Sequence, residues 1–154
     1  MMIHRARRVL FLSAIALALN LSVSTAAQAN TLDPRIAYAL SAEPGGVVTS
    51  ASTVEWPRLG MTLTLPSGTS PRGLSSKCPT GLLCAFGASD ENGARLTWAT
   101  CGTFATTALA QVRSVANARP TGTVQARNGT IILASAAAGN YANVSGSVTN
   151  VRCL

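Results

Sequence analysis

The residues able to perform acid–base or nucleophilic chemistry are few in this chain of 154 residues. Its one histidine, His4, lies in an N-terminal leader, so the rest of the chain has no imidazole for a Ser-His-Asp or Cys-His catalytic unit. A mechanism with two carboxylates would have to use five acidic residues, of which only Asp90 and Glu91 are neighbours in sequence. We therefore expect that this protein is not an enzyme.

Four cysteines, Cys78, Cys84, Cys101 and Cys153, are the other candidates for chemistry. They allow three disulfide connectivities, and the sequence alone does not choose among them. A zinc site is the alternative, but zinc ligands usually come in close pairs, and Cys101 and Cys153 lie far apart. In an exported chain disulfides are the expected state, so we expect no metal and no cofactor. A bond from Cys101 to Cys153 would close a loop worth on the order of 4 kcal/mol.

The first 29 residues have the pattern of a secretory signal peptide. A positively charged segment precedes a mostly apolar stretch at 9–23, and residues 27–29, Ala-Gln-Ala, form a small-x-small cleavage site. An uncleaved membrane anchor is the alternative, but the apolar stretch contains Asn20 and is shorter than the ~20 residues that span a bilayer. We expect cleavage after Ala29, secretion, and no membrane association of the mature chain.

Loss of the leader lowers the net charge. The whole chain has 12 Lys+Arg and 5 Asp+Glu, a formal net charge of +7, and three of the arginines leave with the leader. The mature chain thus has nine basic and five acidic residues, a net charge of +4. Its cations are scattered and lack the interleaved aromatics of a nucleic-acid binder, so we expect no nucleic-acid partner. Mild basicity favours anionic surfaces such as cell-envelope polymers, but only weakly.

Valine- and threonine-rich runs alternate with turn residues from Val47 onward, which is typical of a β domain. Strands are predicted at 47–49, 53–56 and 61–65. Upstream, residues 32–41 could form only a short turn of helix because of Pro34 and the following Pro-Gly-Gly. The connector at 66–77 is rich in Ser, Gly and Pro and is expected to be exposed. Residues 30–76 are therefore predicted to be an N-terminal extension, and residues 77–154 a domain.

Two segments of that domain resemble each other. The first has a predicted strand at 81–86, a hairpin loop at 87–93, a return strand at 94–100 and a closing strand at 112–115. The second has a strand at 122–127, a turn at Asn128-Gly129, a return strand at 130–134 and a closing strand at 151–154. Gly93 and Gly129 both stand directly before the return strand. We interpret the pair as two Greek-key units folded into a sandwich, with chance similarity of short β segments as the alternative.

A set of residues in the first unit resembles a known family. Cys78-Pro-x-Gly-x-Leu-Cys84, Phe86 two residues later, Gly93-Ala-Arg, and Arg113-Ser114-Val-Ala-Asn117 together resemble the secreted Streptomyces metalloproteinase inhibitor family of actinobacteria. The resemblance covers residues 44–117 well and 118–154 loosely. It implies a βγ-crystallin-like fold, peptidase inhibition and an extracellular protease as partner. It also implies that Cys78 pairs with Cys84 and Cys101 with Cys153, and that the Ser114 hydroxyl bonds back onto the hairpin backbone.

One departure from the family concerns the reactive site. The family holds its inhibitory loop with a second close pair of cysteines, and this chain has no such pair between Val124 and Leu154. The reactive-site loop is therefore unknown, and the candidates are 79–83, 87–93 and 118–122. The alternative function is a non-inhibitory structural or binding module at the cell envelope, with a polymer as possible partner. A rigid protruding loop would favour an inhibitor, and a flat aromatic or basic face would favour a polymer binder.

Calcium is not expected to bind. Crystallin-type calcium sites place acidic or amide residues just before the closing serine, but here Gln111-Val112-Arg113 precedes Ser114. One amide and a cation do not supply the six to eight oxygen ligands that calcium needs.

Overall fold

The computed structural model describes residues 32–66 and 78–154. The predicted signal peptide, with its cleavage after Ala29, and nearly all of the predicted connector lie outside the described residues. Within the part that is described, no helix is both long and apolar enough to cross a membrane.

The described chain forms one α-helix, a short 3-10 helix at Pro57–Leu59 and eleven strands. The α-helix, α1, covers Pro34–Ala42. The strands are β1 (Val47–Ser50), β2 (Thr53–Trp56), β3 (Met61–Thr64), β4 (Leu83–Phe86), β5 (Arg95–Trp98), β6 (Thr103–Ala105), β7 (Ser114–Asn117), β8 (Thr123–Asn128), β9 (Ile131–Ala137), β10 (Asn140–Asn143) and β11 (Asn150–Cys153).

These strands form two antiparallel sheets. One has seven strands in the order β1-β2-β3-β5-β4-β7-β10, and the other has four in the order β6-β11-β8-β9. The prediction of a β sandwich stapled by disulfides is thereby confirmed at the level of fold class. The strands predicted in the N-terminal extension and in the two later segments are present, with ends shifted by at most three residues.

Each of the two later segments gives a strand to the sheet of the other. Strands β4, β5 and β7 lie in the seven-stranded sheet, but β6 of the same segment lies beside β11 in the four-stranded sheet. In return, β10 of the second segment pairs with β7. Neither sheet can be completed without both segments. The sequence analysis located neither β6 nor β10.

The N-terminal extension continues the larger sheet. β3 pairs with β5 from Met61↔Trp98 to Thr64↔Arg95, and β2 and β1 follow outward. The indole Nε1 of Trp56 donates to the carbonyl oxygen of Glu43 at 2.7 Å, which fixes α1 to this added part. The strands of the extension therefore cover an edge of β5 that would otherwise be open.

The helix is longer than predicted. Pro34 occupies the first turn of α1, where its missing N–H costs nothing, and Asp33 caps the helix by accepting from the Arg35 N–H at 2.8 Å. Ile36 and Ala39 are fully buried and anchor the nine-residue helix. The expectation that Pro34 restricts this region to a short turn was wrong because proline is unfavourable only beyond the first turn.

The core contains the large apolar side chains of both sheets. Trp98 is 1% exposed, and its ring stacks on Phe104 with centroids 5.2 Å apart. Phe86 lies in a second, smaller cluster with Cys84 and Ala116 on the opposite face of β4. The partly buried Cys78 packs against that cluster, so the first pair of cysteines covers a sheet face that would otherwise expose Phe86.

Candidate functional site

All four cysteines are paired. Cys78 bonds to Cys84 with Cα atoms 5.7 Å apart, and Cys101 bonds to Cys153 with Cα atoms 5.1 Å apart. These are the pairs that the resemblance implied, and the structure has disulfides where zinc was the alternative. A disulfide sulfur is neither a thiolate nucleophile nor a metal ligand.

The hairpin loop at 87–93 folds back on itself around Ser114. The Ser114 side chain is buried, its hydroxyl donates to the carbonyl oxygen of Ala88 at 2.8 Å, and it accepts from the N–H of Glu91 at 3.1 Å. This is the serine contact expected from the resemblance. One buried hydroxyl therefore satisfies an acceptor and a donor of the loop at once.

The same loop has unusual backbone angles. Gly93 has φ +82°, and a Cβ there would lie 3.2 Å from the Ala88 nitrogen. Asp90 and Glu91 also have positive φ, 57° and 58°. Left-handed backbone at a residue other than glycine costs on the order of 1–3 kcal/mol, and it persists only where neighbouring groups hold it.

Side chains from outside the loop hold this conformation. Asn143 of β10 accepts from the Asp90 N–H at 2.8 Å and donates its amide to the Asp90 carboxylate at 2.8 Å. The Glu91 carboxylate accepts from the Cys78 N–H at 3.2 Å. The loop is thus a joint between the first segment, the second segment and the first disulfide. Its polar groups are largely committed to these internal bonds.

The candidate loops at 79–83 and 118–122 lie side by side. The Gly81 N–H donates to the carbonyl oxygen of Ala118 at 2.8 Å, and the Ala118 N–H donates to the carbonyl oxygen of Leu82 at 3.0 Å. Asn117 is fully buried and donates its side-chain amide to the carbonyl oxygen of Gly122 at 3.0 Å. These two candidates therefore form one connected end of the domain and not two separate loops.

The second hairpin has its turn one residue later than predicted. Asn128 is the last residue of β8 and pairs with Ile131, so the turn is Gly129-Thr130. Gly129 has φ +59°, whereas Thr130 is not among the residues with positive φ. A positive φ at the first turn residue alone is the pattern of a type II′ turn, which favours glycine there. The predicted turn at Asn128-Gly129 was wrong because it assumed that both turn residues need positive φ.

This hairpin has its own polar support. The Gly129 N–H donates to the Thr149 hydroxyl at 2.8 Å, and the Asn150 amide donates to the carbonyl oxygen of Gly129 at 3.0 Å. Asn150 begins β11 as Ser114 begins β7. The predicted closing strands, 112–115 and 151–154, match Ser114 with Cys153 by position, whereas the first residue of β11 is Asn150. Thr149 and Asn150 are the residues that sequence reasoning missed.

Two isoleucines stand exposed beside this turn. Ile131 is 65% exposed and Ile132 is 51% exposed, and Ile131 is the most exposed large apolar side chain of the described residues. The register shifts between Ala126 and Arg127, so Arg127 faces Ile132 while Ala126 faces Ala134. No signal in the sequence separates these isoleucines from the core residues of other strands.

An apolar groove of about 420 Å³ lies beside α1. Leu63, Leu65 and Leu109 form part of its wall, and Tyr38 and Gln111 contribute polar groups. Its lining includes no carboxylate and no cysteine among the described residues. The groove can accept an apolar group but offers no acid–base pair.

The acidic side chains are dispersed. Asp33 lies 2.8 Å from the Arg35 guanidinium, and hydrogen bonds from Arg35 lower the pKa of the Asp33 carboxyl to about 2. Glu43 accepts from the Thr107 hydroxyl at 2.7 Å. Over residues 32–66 and 78–154, no group of three Cys, His, Asp or Glu side chains could hold a metal ion. Partial burial lowers the pKa of Arg95.

Comparison with protein-family models, with curated proteins and with solved structures found no match. The hairpins and loops described above are therefore the basis for a functional proposal.

Proposed function

We propose that this chain is an exported peptidase inhibitor, related to the secreted Streptomyces metalloproteinase inhibitor family, whose reactive element is the β8–β9 hairpin. The observation that carries the proposal is the exposure of Ile131 and Ile132, 65% and 51%, on a hairpin whose turn is held by hydrogen bonds. The mature chain would act outside the cell after cleavage at Ala29.

We also infer that the sandwich is a βγ-crystallin-like pair of Greek keys. The exchange of β6 and β10 between the two four-strand segments supports this inference. The folded loop at 87–93, closed by Gly93 and Ser114, supports it as well. This architecture supplies a rigid frame because each segment completes the sheet of the other.

The hairpin suits a protease cleft for a reason of backbone geometry. β9 is an edge strand of the four-stranded sheet, so one side of its backbone is not paired within that sheet. An extended partner adds to such an edge by main-chain hydrogen bonds and reads side chains through pockets. A protease with apolar specificity pockets would bury Ile131 and Ile132, at about 1.5–3 kcal/mol for each side chain.

A rigid β8–β9 hairpin loses little conformational entropy on binding, and it would hold the two chain ends close together after a cut. Before binding, the turn is already fixed through Thr149 and Asn150. After a cut between Ile131 and Ile132, β8 would stay paired with β11, and the rest of β9 would stay paired with β8. The new chain ends would therefore lie close together, which favours slow release and re-ligation.

The other candidate loops fit this role less well. The loop at 87–93 uses its polar groups for internal bonds, and the loops at 79–83 and 118–122 bond to each other. We infer that the protein is not an enzyme, on the basis of four paired cysteines and the absence of histidine after His4.

The test is a titration of the oxidised mature chain, residues 30–154, against subtilisin, thermolysin and trypsin. We expect stoichiometric inhibition of subtilisin or thermolysin, which accept apolar side chains, and one slow cut at 130–132 detected by mass analysis. Trypsin should not be inhibited, because Arg127 near the hairpin is only partly exposed and bonds to Gln125. If none of the three proteases is inhibited and the domain survives intact, the chain is a structural or binding module instead.

A further inference from the structure

The acidic and basic residues are distributed unequally along the chain. No Asp or Glu occurs after Glu91, whereas five arginines lie between residues 92 and 154. All four strands of the smaller sheet, β6, β8, β9 and β11, come from this acid-free part. That sheet therefore carries positive charge without any acidic residue of its own.

The outer face of this sheet is defined by its register. One row across the strands reads Thr103, Arg152, Gln125 and Ser135, and the next reads Ala105, Asn150, Arg127 and Ile132. The alternating residues Val124, Ala126 and Val151 are at most 1% exposed and point to the core. The two rows thus face outward, with two arginines set among mostly short or polar side chains.

The two arginines are placed to act together. Arg127 donates through Nε and Nη2 to the Gln125 side-chain oxygen, which fixes its guanidinium against the sheet. Arg152 is exposed, lies opposite Gln125 on the neighbouring strand and is a diagonal neighbour of Arg127, about 7–8 Å away by sheet geometry. The one ion pair within the described residues is Asp33–Arg35, so no carboxylate there neutralises either guanidinium.

We propose that this outer face binds a linear phosphate polymer without bases, of the kind that an exported protein meets in a cell envelope. Guanidinium groups match phosphate oxygens in geometry and charge, and two of them on a flat face can hold successive phosphates of an extended chain. The interaction would retain the protein near the cell surface. Binding of the polymer does not require peptidase inhibition, although Ile132 of the proposed reactive hairpin lies opposite Arg127 at the border of this face.

The composition of the face favours such a polymer over a nucleic acid. Single-stranded nucleic acids are usually held by aromatic side chains on which the bases stack. Phe104 is the one aromatic residue in the strands of this sheet, and its ring stacks on Trp98 of the other sheet. The face therefore offers charge to a phosphate backbone and no stacking surface to bases.

The experiment measures binding of the oxidised mature chain to immobilised long-chain inorganic polyphosphate at several salt concentrations. The test variant is R127Q/R152Q, and the matched control is R58Q/R113Q, which removes the same charge from exposed positions outside this face. We expect the test variant to lose about tenfold in affinity and its salt dependence, log K against log salt, to become about one to two units shallower. The control should lose less than about threefold.

Several outcomes would overturn the proposal. Equal losses in the two double variants would show that only net charge matters. Tighter binding to a single-stranded oligonucleotide, or to vesicles containing anionic lipid, would assign the face to a nucleic acid or a membrane. Unfolding in urea checks that each variant is folded. The variant I131A separates the two proposals, because Ile131 lies outside the two rows. It should keep polyphosphate binding while it weakens inhibition.

Discussion

The two hairpins at equivalent places in the two segments have opposite designs. Between β4 and β5 the chain makes a folded loop in which two residues other than glycine have left-handed backbone, and Ser114, Asn143 and Cys78 hold it by hydrogen bonds. Between β8 and β9 it makes a two-residue turn with two exposed isoleucines beside it. The first uses its polar groups to join parts of the domain, and the second leaves its side chains free for a partner. Corresponding hairpins in the two segments thus differ: one joins parts of the domain, and the other exposes the apolar side chains that we propose contact a protease.

The largest expected effect concerns the apolar tip of the second hairpin. The double substitution I131A/I132A should weaken inhibition of a susceptible protease by roughly a hundredfold or more, because two large apolar contacts are lost. Inhibition constants measured by titration test this. The matched control is V47A/V48A, which truncates two exposed side chains of β1 and should leave the inhibition constant unchanged. Equal losses in both variants would assign inhibition to a different part of the surface.

The serine of the first hairpin should matter more for stability than its counterpart in the second. Ser114→Ala leaves an acceptor on Ala88 and a donor on Glu91 without their buried partner, which should cost about 2–4 kcal/mol. Thr149→Ala removes a bond at an exposed site and should cost about 0.5–1.5 kcal/mol. Urea unfolding of the two variants measures the difference. A smaller loss for Ser114→Ala than for Thr149→Ala would contradict the division of roles.

The two turn glycines give a finer comparison. Gly93→Ala places a Cβ 3.2 Å from the Ala88 nitrogen at φ +82°, and it should cost about 2–3 kcal/mol in unfolding free energy. Gly129→Ala has φ +59° but meets no atom within 4 Å, so about 1–2 kcal/mol is expected. Thermal unfolding of both variants under one buffer condition tests the order. Indistinguishable midpoints would mean that the first loop relaxes around the new methyl group.

The smallest expected effect on stability concerns Asp33, a partly exposed residue outside both hairpins. Because the folded pKa of Asp33 is about 2, below its ordinary value of 3.8, its contribution is present above pH 4 and is lost as the pH falls through 2. Asp33→Asn keeps a capping side chain but loses the ion pair with Arg35. The stability difference between wild type and this variant, measured in urea, should be small near neutral pH, should shrink as the pH falls from 4 towards 2, and should vanish only below pH 2. If the stability advantage of the wild type over Asp33→Asn grew as the pH was lowered, the expected direction of the pH dependence would be wrong.

The fold class was predictable from local features. The Val and Thr runs, the turn glycines, the four cysteines and the predicted leader together indicate a disulfide-bonded β domain. The exchanged strands were not predictable in this way. β6 has three residues and β10 begins and ends with asparagine, which is uncommon in strands, so neither has a sequence signal of its own. The positions of β6 and β10 depend on pairing with β11 and β7, which are distant in sequence, and local sequence patterns do not reveal such pairing.

The polar residues that hold the two hairpins were also only partly predictable from local sequence patterns. Ser114 was found because it belongs to a recognisable run, whereas Thr149 and Asn150 support the second hairpin with different side chains at a shifted position. Similar letters in Arg113-Ser114 and Arg152-Cys153 pointed to the wrong register. Ile131 and Ile132 look like core residues in any one-dimensional pattern. Only the register of β8 with β9 places them at the exposed tip.

The proposed export would give the two disulfides different moments of formation. Cys78 and Cys84 are six residues apart, so they can pair as soon as their short segment reaches an oxidising compartment. Cys101 must wait for Cys153, 52 residues later, and for β11 to reach β6. A chain interrupted before Cys153 therefore keeps Cys101 as a free thiol that a maleimide reagent labels. The longer bond can therefore form only after β11 has been synthesised and has paired with β6.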